Sequence, residues 1–362
     1  MQKDFHYYAT YCAAYIAGYS HDECLEIAYS AQFVDNCSKT LLKNLGAPTA
    51  AATTQLQMEL MDSRVDIWAL QDITRIWASF HFLPMDLYAK KKWRTKVYLH
   101  RYRMICGPNG DLLVDTVNLA KGKSTQAIGI AMHVLADTWA HANFAGTPSL
   151  VINNTNFDFY EIIKDEEGFK ERKINFKHNA NMKDNIDNGV YVNSIYSNKE
   201  TSIMNLGHGR AGHIPDYSFI KYRYMPAWND FKLLIKDNPT DYFKAFTQMV
   251  YALKYIRGEY ETFEKNTYDF KAVEKYSERI KGILEKRQLD ASEDWKKFGE
   301  ELSGQEIEDF DLDKYQSSYK TVPEDMKEKS FIGKFITAAL DQKKMVTSRI
   351  IESNNKIAGF RL

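Results

Sequence analysis

The sequence predicts a mainly helical protein, and three observations support this prediction. Residues 4–19 and 21–37 fit a helical hairpin, because Ser20 and Glu23 form a capping-box pattern after a Gly-Tyr-Ser turn. Residues 127–146 are apolar on almost every side, which is typical of a buried helix. The charged last third of the chain keeps a helical period, and the helices predicted there cover 239–264, 270–288, 291–303 and 327–354.

The distribution of candidate ligands divides the chain into two parts. We expect residues 1–228 to form a metal-binding helical domain, since the candidate ligands all lie within it. Residues 147–205 lose the helical period and are rich in asparagine, which predicts a loop-rich insertion with short strands at 157–163 and 191–196. Residues 229–362 contain no histidine, so we expect them to pack on the first domain or to form a surface for a protein partner.

The composition excludes several classes of protein. The 48 basic residues are balanced by 48 acidic ones, so no overall charge directs the chain to nucleic acid or to an anionic bilayer. The sequence has no signal-peptide pattern and no apolar run of about 18 residues, so we expect a soluble, cytoplasmic protein. Its four cysteines form no CxxC pair, which favours free thiols in a reducing compartment.

Residues 88–103 are locally basic and aromatic, in contrast to the balanced charge of the whole chain. Such a segment either contacts phosphate groups or forms a solvated helix face. The sequence contains neither a glycine-rich phosphate loop nor a Gly-x-Ser-x-Gly motif, so nucleotide binding and serine hydrolysis have no support.

The predicted central helix carries His133, Asp137 and His141 at i, i+4 and i+8. Steps of four residues place these side chains in one column that rises roughly 12 Å along the helix. Burying two imidazoles and a carboxylate is destabilising unless they are paired or bound to a metal ion. Zinc accepts these ligand types at this spacing. The alternative is a buried hydrogen-bonded ladder without a metal ion.

Further candidate ligands lie before the central helix. His6 is in the first turn of the first helix, and Asp35 is near the end of the second, where capping and metal ligation are equally plausible roles. His81 stands between two phenylalanines just before a helix-breaking proline, a position that suits a ligand or a buried polar contact.

Two more histidines follow the insertion in a glycine-rich loop. His208 and His213 have three glycines around them, so the backbone there can approach a ligand closely. Asp216 follows on a proline turn. Histidines in such a loop have few packing partners, which favours a functional role.

These residues together resemble a known family. The matching succession is His6, Asp35, Phe-His81-Phe-x-Pro, Ala-Met-His133-x-x-x-Asp137 and His141-Ala-Asn-Phe, followed by a later histidine. It is similar, over residues 1–220, to the zinc-dependent phospholipases C and the related single-strand-specific zinc nucleases. The N-terminal half also resembles an uncharacterised bacterial family of unknown function, which begins Asp-Phe-His-Tyr and carries the same central helix.

The resemblance implies an all-α fold, a multi-helix bundle with the irregular insertion and a helical C-terminal extension, that holds one to three zinc ions. By position, the ligands of the first ion would be Asp35, His81, His133 and Asp137. Asp137 would bridge to a second ion that His6 also binds. The third ion would take His141 with His208 or His213.

The resemblance also implies a place at the metal for the start of the chain. In the family an N-terminal tryptophan chelates an ion with its amine and carbonyl, whereas Met1 stands first in this sequence. Asp4 is the candidate to take that place. The segment between Asp137 and His141 is two residues shorter than in the phospholipases, and a helical segment is expected there.

The activity implied by the resemblance is metal-assisted hydrolysis of a phosphodiester, either a lipid or a nucleic acid. Asp35 would orient the attacking water or act as its base. The alternative is a non-catalytic helical protein that uses metal for stability and acts in binding or assembly. Hydrolysis of a phosphodiester distinguishes the two hypotheses, because only the first predicts it.

Overall fold

The structure, a computed structural model, describes residues 1–56, 58–59, 67–147, 149, 152, 154–155, 158–165, 168–179, 182–193 and 209–359. A π-helical segment, Asp4–Ala9, leads into the first α-helix. The helices are α1 (Thr10–Ile16), α2 (His21–Phe33), α3 (Lys39–Asn44), α4 (Ile67–Phe80), α5 (Lys96–Tyr102), α6 (Asp111–Ala120), α7 (Thr125–Ala140), α8 (Asn238–Arg257), α9 (Phe270–Val273), α10 (Ser277–Glu285), α11 (Ser292–Ser303), α12 (Gln316–Thr321) and α13 (Phe331–Glu352). The strands are β1 (Tyr160–Asp165), β2 (Gly168–Lys173), β3 (Asn175–Lys177), β4 (Val190–Val192), β5 (Lys221–Tyr224) and β6 (Leu234–Asp237).

The prediction of an all-α fold is wrong, because the region between α7 and α8 forms two sheets. Four antiparallel strands pair in the order β2-β1-β5-β6, and β3 pairs with β4 in parallel. In β5 the buried Tyr222 and Tyr224 alternate with half-buried residues and pack on an aromatic core that includes Phe144 and Phe159. This period of two is a strand signal, and it lies beyond the insertion in which short strands were predicted.

Helix α7 lies at the centre of the molecule and packs against α2, α4, α6, α8 and α13. Its residues from Ile128 to Ala140 are all buried, as expected for a helix that is apolar on every side. The helix ends at Ala140, earlier than predicted. The chain then turns through Asn143 at a φ of 80°, and the backbone N–H of Asn143 donates to the Cys106 carbonyl at 2.9 Å.

The capping box predicted for the second helix is present. The Ser20 hydroxyl accepts from the Glu23 N–H, and the Glu23 carboxylate accepts from the Ser20 N–H at 2.9 Å. These contacts satisfy backbone donors that a helix start otherwise leaves unpaired. They fix the beginning of α2, whose other end carries part of the candidate metal centre.

The C-terminal helices share the main hydrophobic core with the N-terminal ones. Trp295 of α11 is almost fully buried, with its ring 6.0 Å from that of Phe5 and 5.4 Å from that of Phe246. Helices α8 and α13 both pack on α7. The charged C-terminal third therefore buries its apolar faces against the region that carries the candidate ligands.

A buried ion-pair group connects the sheet to the C-terminal helices. Glu161 of β1 is 1% exposed, and its carboxylate accepts from Arg172, its cross-strand neighbour, at 2.6 Å. The guanidinium of Arg287, which follows α10, donates to the other carboxylate oxygen. One buried carboxylate thus holds two basic side chains from separate elements.

We expect Glu161→Gln to lower the free energy of unfolding by about 1–2 kcal/mol, because a neutral amide cannot compensate two guanidinium groups. The cost is limited because both guanidinium groups keep contact with water. Urea unfolding measures this difference. Glu278→Gln, at an exposed ion pair with Lys281, is the control and is expected to unfold like the wild type. Equal midpoints for all three proteins would contradict the prediction.

Candidate metal centre

Helix α7 supplies the middle of a buried cluster of imidazole and carboxylate groups. His133 and Asp137 lie one turn apart on the same face of the helix and are 0% and 1% exposed. His141 directly follows the helix and is also buried. Side chains of this kind need partners, because an uncompensated buried polar group destabilises the fold.

The carboxylate of Asp137 has His81 and His133 on one side and His6 and the Met1 nitrogen on the other. Its Oδ2 atom is 3.2 Å from His81 Nδ1 and 3.2 Å from His133 Nε2. Its Oδ1 atom is 3.1 Å from His6 Nε2 and 2.7 Å from the backbone nitrogen of Met1. One oxygen therefore faces each side.

Backbone carbonyl groups fix the orientation of three imidazoles. His133 Nδ1 is 2.8 Å from the Ala31 carbonyl oxygen, and His81 Nε2 is 3.0 Å from that of Thr53. His141 Nδ1 is 2.7 Å from the carbonyl oxygen of His81. Because a carbonyl only accepts, the ring nitrogen facing it donates. The other nitrogen of each ring then faces the cluster, which is how metal-binding histidines are held.

Two overlapping sets of side chains have the geometry to hold an ion. Within each set the ligand atoms lie within 4.8 Å of one another. The first set is His6, His133 and Asp137, and the second is Asp35, His81 and His133. Buried histidine and aspartate side chains are thus positioned to hold a metal ion.

Asp35 is the most exposed member of these two sets. Its carboxylate is 31% exposed, and its Oδ1 atom is 3.7 Å from His81 Nδ1 and 3.9 Å from His133 Nε2. The Gln32 amide lies 3.4 Å from the other oxygen. Burial raises the pKa of Asp35. Of the two roles that the sequence left open, capping and ligation, the position of this carboxylate beside two imidazoles favours ligation.

The burial and hydrogen bonding of the His6 ring indicate whether the cluster suits a cation. It is fully buried and stacks on His133, with ring centroids 3.8 Å apart. Neither of its nitrogens makes a well-directed hydrogen bond within the residues that the structure describes, although Nε2 lies 3.1 Å from an Asp137 oxygen. A buried imidazole without a hydrogen bond, beside an anionic oxygen, fits a metal ligand.

The surroundings of His6, His133 and Asp137 favour the protonation states in which these three side chains bind a cation. Burial lowers the pKa of His6 and that of His133 to about 4. Burial alone would raise the pKa of Asp137, but His141 and the Met1 amine hold it well below its usual range. Neutral imidazoles beside an ionised carboxylate are the forms in which these side chains coordinate metals.

A third group of side chains adjoins the first two. His141 Nε2 is 3.1 Å from Asp216 Oδ1, and His213 Nδ1 is 3.5 Å from Asp216 Oδ2. The ring of His213 is 61% exposed, and its hydrogen bond with Asp216 raises its pKa. The sequence offered His208 or His213 as the last ligand. His208 lies outside the described residues, and His213 reaches this group through Asp216.

Met1, and not Asp4, lies at the place suggested for the start of the chain. The Met1 nitrogen is 3.2 Å from Asp216 Oδ1 and 3.3 Å from His141 Nε2. The Asp4 carboxylate instead accepts hydrogen bonds from the backbone N–H groups of Phe5, at 2.7 Å, and Ala291, at 3.2 Å. Asp4 therefore faces the start of α11.

Four residues of the centre were not assigned as ligands or partners from the sequence. Asp216 had a signal, because it follows a candidate histidine by three residues on a turn. Gln32 also had one, since it lies one helical turn before the predicted ligand near the end of α2. Ala31 and Thr53 act through their carbonyl groups, and because every residue has one, no side-chain pattern identifies them.

Residues 1–350 match DUF6765, a family of unknown function. The chain belongs to this family. The prediction of an uncharacterised family is therefore confirmed. No curated protein and no solved structure matches the chain significantly, so the comparisons give no support to the resemblance to zinc-dependent phospholipases C and nucleases. Among the described residues, no helix is both long and apolar enough to span a bilayer.

Proposed function

We propose that this member of DUF6765 is a zinc-dependent hydrolase of phosphodiester bonds. The observation that carries the proposal is the carboxylate of Asp137, whose Oδ1 atom faces His6 while its Oδ2 atom faces His81 and His133. Paired metal positions with a shared ligand are typical of enzymes that hydrolyse phosphate esters.

The donor set favours zinc over the hard alkaline-earth cations. Calcium and magnesium prefer oxygen ligands, whereas zinc binds neutral imidazole together with carboxylate. One position would be held by His81, His133, Asp35 and one oxygen of Asp137. The neighbouring position would be held by His6 and the other Asp137 oxygen. His141 and Asp216 adjoin the second position and are available to a further ion.

When bound, zinc at these positions would polarise a phosphoryl oxygen and lower the pKa of a coordinated water. The chain's own contribution is to orient the reacting groups and to exclude bulk water. Asp35 is the group through which substrate meets the cluster, because it is half-buried whereas His133 and Asp137 are closed off from solvent. Its carboxylate accepts the proton of the attacking water, and the Gln32 amide holds that carboxylate in place.

The experiment is hydrolysis of bis(p-nitrophenyl) phosphate by protein whose metal content has been determined by elemental analysis. We expect two or more zinc equivalents, activity that disappears with chelator, and a fall in kcat of about 100-fold or more for Asp35→Asn. Asp22→Asn, at an exposed acid in the first turn of α2, the helix that precedes Asp35, is the control and should keep wild-type kcat.

Two outcomes would reject the proposal. Bound zinc without turnover of any phosphodiester tested would leave the alternative, a non-catalytic protein stabilised by its metal. Absence of metal, together with a melting temperature that chelator does not change, would leave a hydrogen-bonded polar cluster in the core.

A further inference from the structure

The segment 88–97 carries the most exposed large hydrophobic side chain among the described residues. Trp93 is 99% exposed and has a φ of 60°, a left-handed conformation that is uncommon for a bulky residue. Exposed basic side chains surround it in the sequence, namely Lys90, Lys92, Arg94 and Lys96. A protruding indole among cations is an unusual feature for a surface that contacts only water.

The segment is held firmly against a neighbouring loop. The Lys91 ammonium donates to the Trp228 carbonyl and lies 3.0 Å from Asp230 Oδ2, and Arg94 also pairs with Asp230. The indole N–H of Trp228 donates to the Asn143 carbonyl at 2.9 Å. These contacts connect the segment to the chain just beyond the candidate metal centre, so its exposed side chains project from a defined support.

The neighbouring loop adds exposed apolar groups. Phe231 is 43% exposed at a φ of 56°, and Leu233 is 51% exposed. Val97, in the first turn of α5, is 63% exposed. The exposed basic and apolar side chains of residues 90–97 and 231–233 that are not paired with Asp230 are named the basic-apolar face. They are Lys90, Lys92, Trp93, Lys96, Val97, Phe231, Lys232 and Leu233.

The chemistry of this face distinguishes a bilayer from single-stranded nucleic acid. Base stacking needs free aromatic faces. However, Lys91 lies over the rings of Tyr98 and Tyr102, and Arg94 lies 4.9 Å from the Tyr98 ring. The exposed apolar groups of the face are one indole, one phenyl ring and aliphatic groups, and Tyr88 at the start of the segment is also exposed. Tryptophan and aliphatic side chains enter the interfacial region of a bilayer, where lysine and arginine meet lipid phosphates.

We propose that the basic-apolar face docks the protein on the surface of an anionic lipid bilayer. Trp93 enters the interface between headgroups and acyl chains, and the surrounding cations pair with anionic headgroups. Since the net charge of the whole chain is +0, this attraction is local to the face. The proposal does not depend on hydrolytic activity.

The test is co-sedimentation of the full chain with phosphatidylcholine vesicles that contain either no phosphatidylglycerol or 30% of it. We expect binding only to the anionic vesicles, and weakening with added salt. Lys90→Gln with Lys92→Gln should reduce the partition coefficient about 25-fold, at about fivefold per charge. Trp93→Ala should also reduce it.

Two matched controls change the same residue types elsewhere. Trp68→Ala alters another exposed tryptophan, and Lys320→Gln with Lys344→Gln removes two exposed charges from α12 and α13. Both should bind like the wild type. Hydrolysis of bis(p-nitrophenyl) phosphate in vesicle-free buffer should be the same for Trp93→Ala and wild type, so failure of docking and failure of catalysis are distinguishable.

Three results would overturn the proposal. They are absence of binding to anionic vesicles, equal binding by the face variants and the wild type, and binding of a single-stranded oligonucleotide by the same face without binding to vesicles.

Discussion

Asp137→Asn is expected to release bound metal from both proposed positions at once. One Asp137 oxygen faces His6 and the other faces His81 and His133, and asparagine has the same shape without the charge. The metal-to-protein ratio should therefore fall from two or more to near zero. Loss of a ligand present at a thousandfold its dissociation constant lowers the free energy of unfolding by about 4 kcal/mol. Elemental analysis and melting curves with and without chelator measure both effects.

Asp115→Asn is the matched control for this prediction. Asp115 lies on α6, where its carboxylate accepts two hydrogen bonds from Arg349 at the surface, at 2.8 Å and 3.1 Å. This variant should keep its metal and its response to chelator. If Asp137→Asn retained the wild-type metal content, the shared carboxylate would not be a ligand, and the two-position proposal would fail.

The core of the candidate centre could be predicted because it depends on spacing along one helix. Two polar residues at i and i+4 in an otherwise apolar helix must share a buried face, so His133 and Asp137 were expected to lie together. The structure places them one turn apart and buried. His141 was expected to continue the column, but it lies just past the helix end, where it turns toward Asp216.

The remainder of the centre depends on how distant segments meet. His6, His81 and Asp216 come from a π-helical segment, a helix end and a turn, and no periodicity connects them. The resemblance suggested the first two. Backbone acceptors such as the Thr53 carbonyl cannot be identified from the pattern of side chains. Which oxygen of Asp137 faces which imidazole likewise depends on three-dimensional packing.

The short strands predicted at 157–163 and 191–196 overlap β1 and β4 where the structure describes them. Their assembly with other strands into two sheets was missed because the strands are short and interrupted along the sequence. Strands β1 and β5 pair through Tyr160 with Arg223 and Glu161 with Tyr222, although some 60 residues separate them. Strands of three to six residues contain few alternating positions. Their period of two is therefore hard to distinguish from the composition of a loop. The Lys-Tyr-Arg-Tyr alternation in β5 was the clearest signal, and it was not interpreted as a strand.

Gly129→Ala is expected to lower the free energy of unfolding by about 3 kcal/mol, at the upper end of what overpacking a core costs. Gly129 of α7 lies directly against α2. A Cβ atom there would be 2.4 Å from the Ile27 carbonyl oxygen and 2.5 Å from Ser30 Cβ. Relief of these contacts requires α2 and α7 to separate. The same two helices make the 2.8 Å contact from His133 to the Ala31 carbonyl, so metal binding should weaken as well.

Gly282→Ala distinguishes this packing effect from the intrinsic preference of helices for alanine. Gly282 is inside α10, and a Cβ atom there would have no other heavy atom within 4 Å. Alanine at this position should raise the free energy of unfolding by about 0.5–1 kcal/mol. We therefore expect the same chemical change to lower the free energy of unfolding at one position and to raise it at the other. Urea unfolding of both variants measures this difference, and zinc titrations measure the effect on metal binding. Gly129→Ala with wild-type stability and zinc affinity would show that the α2–α7 contact does not determine the geometry of the cluster.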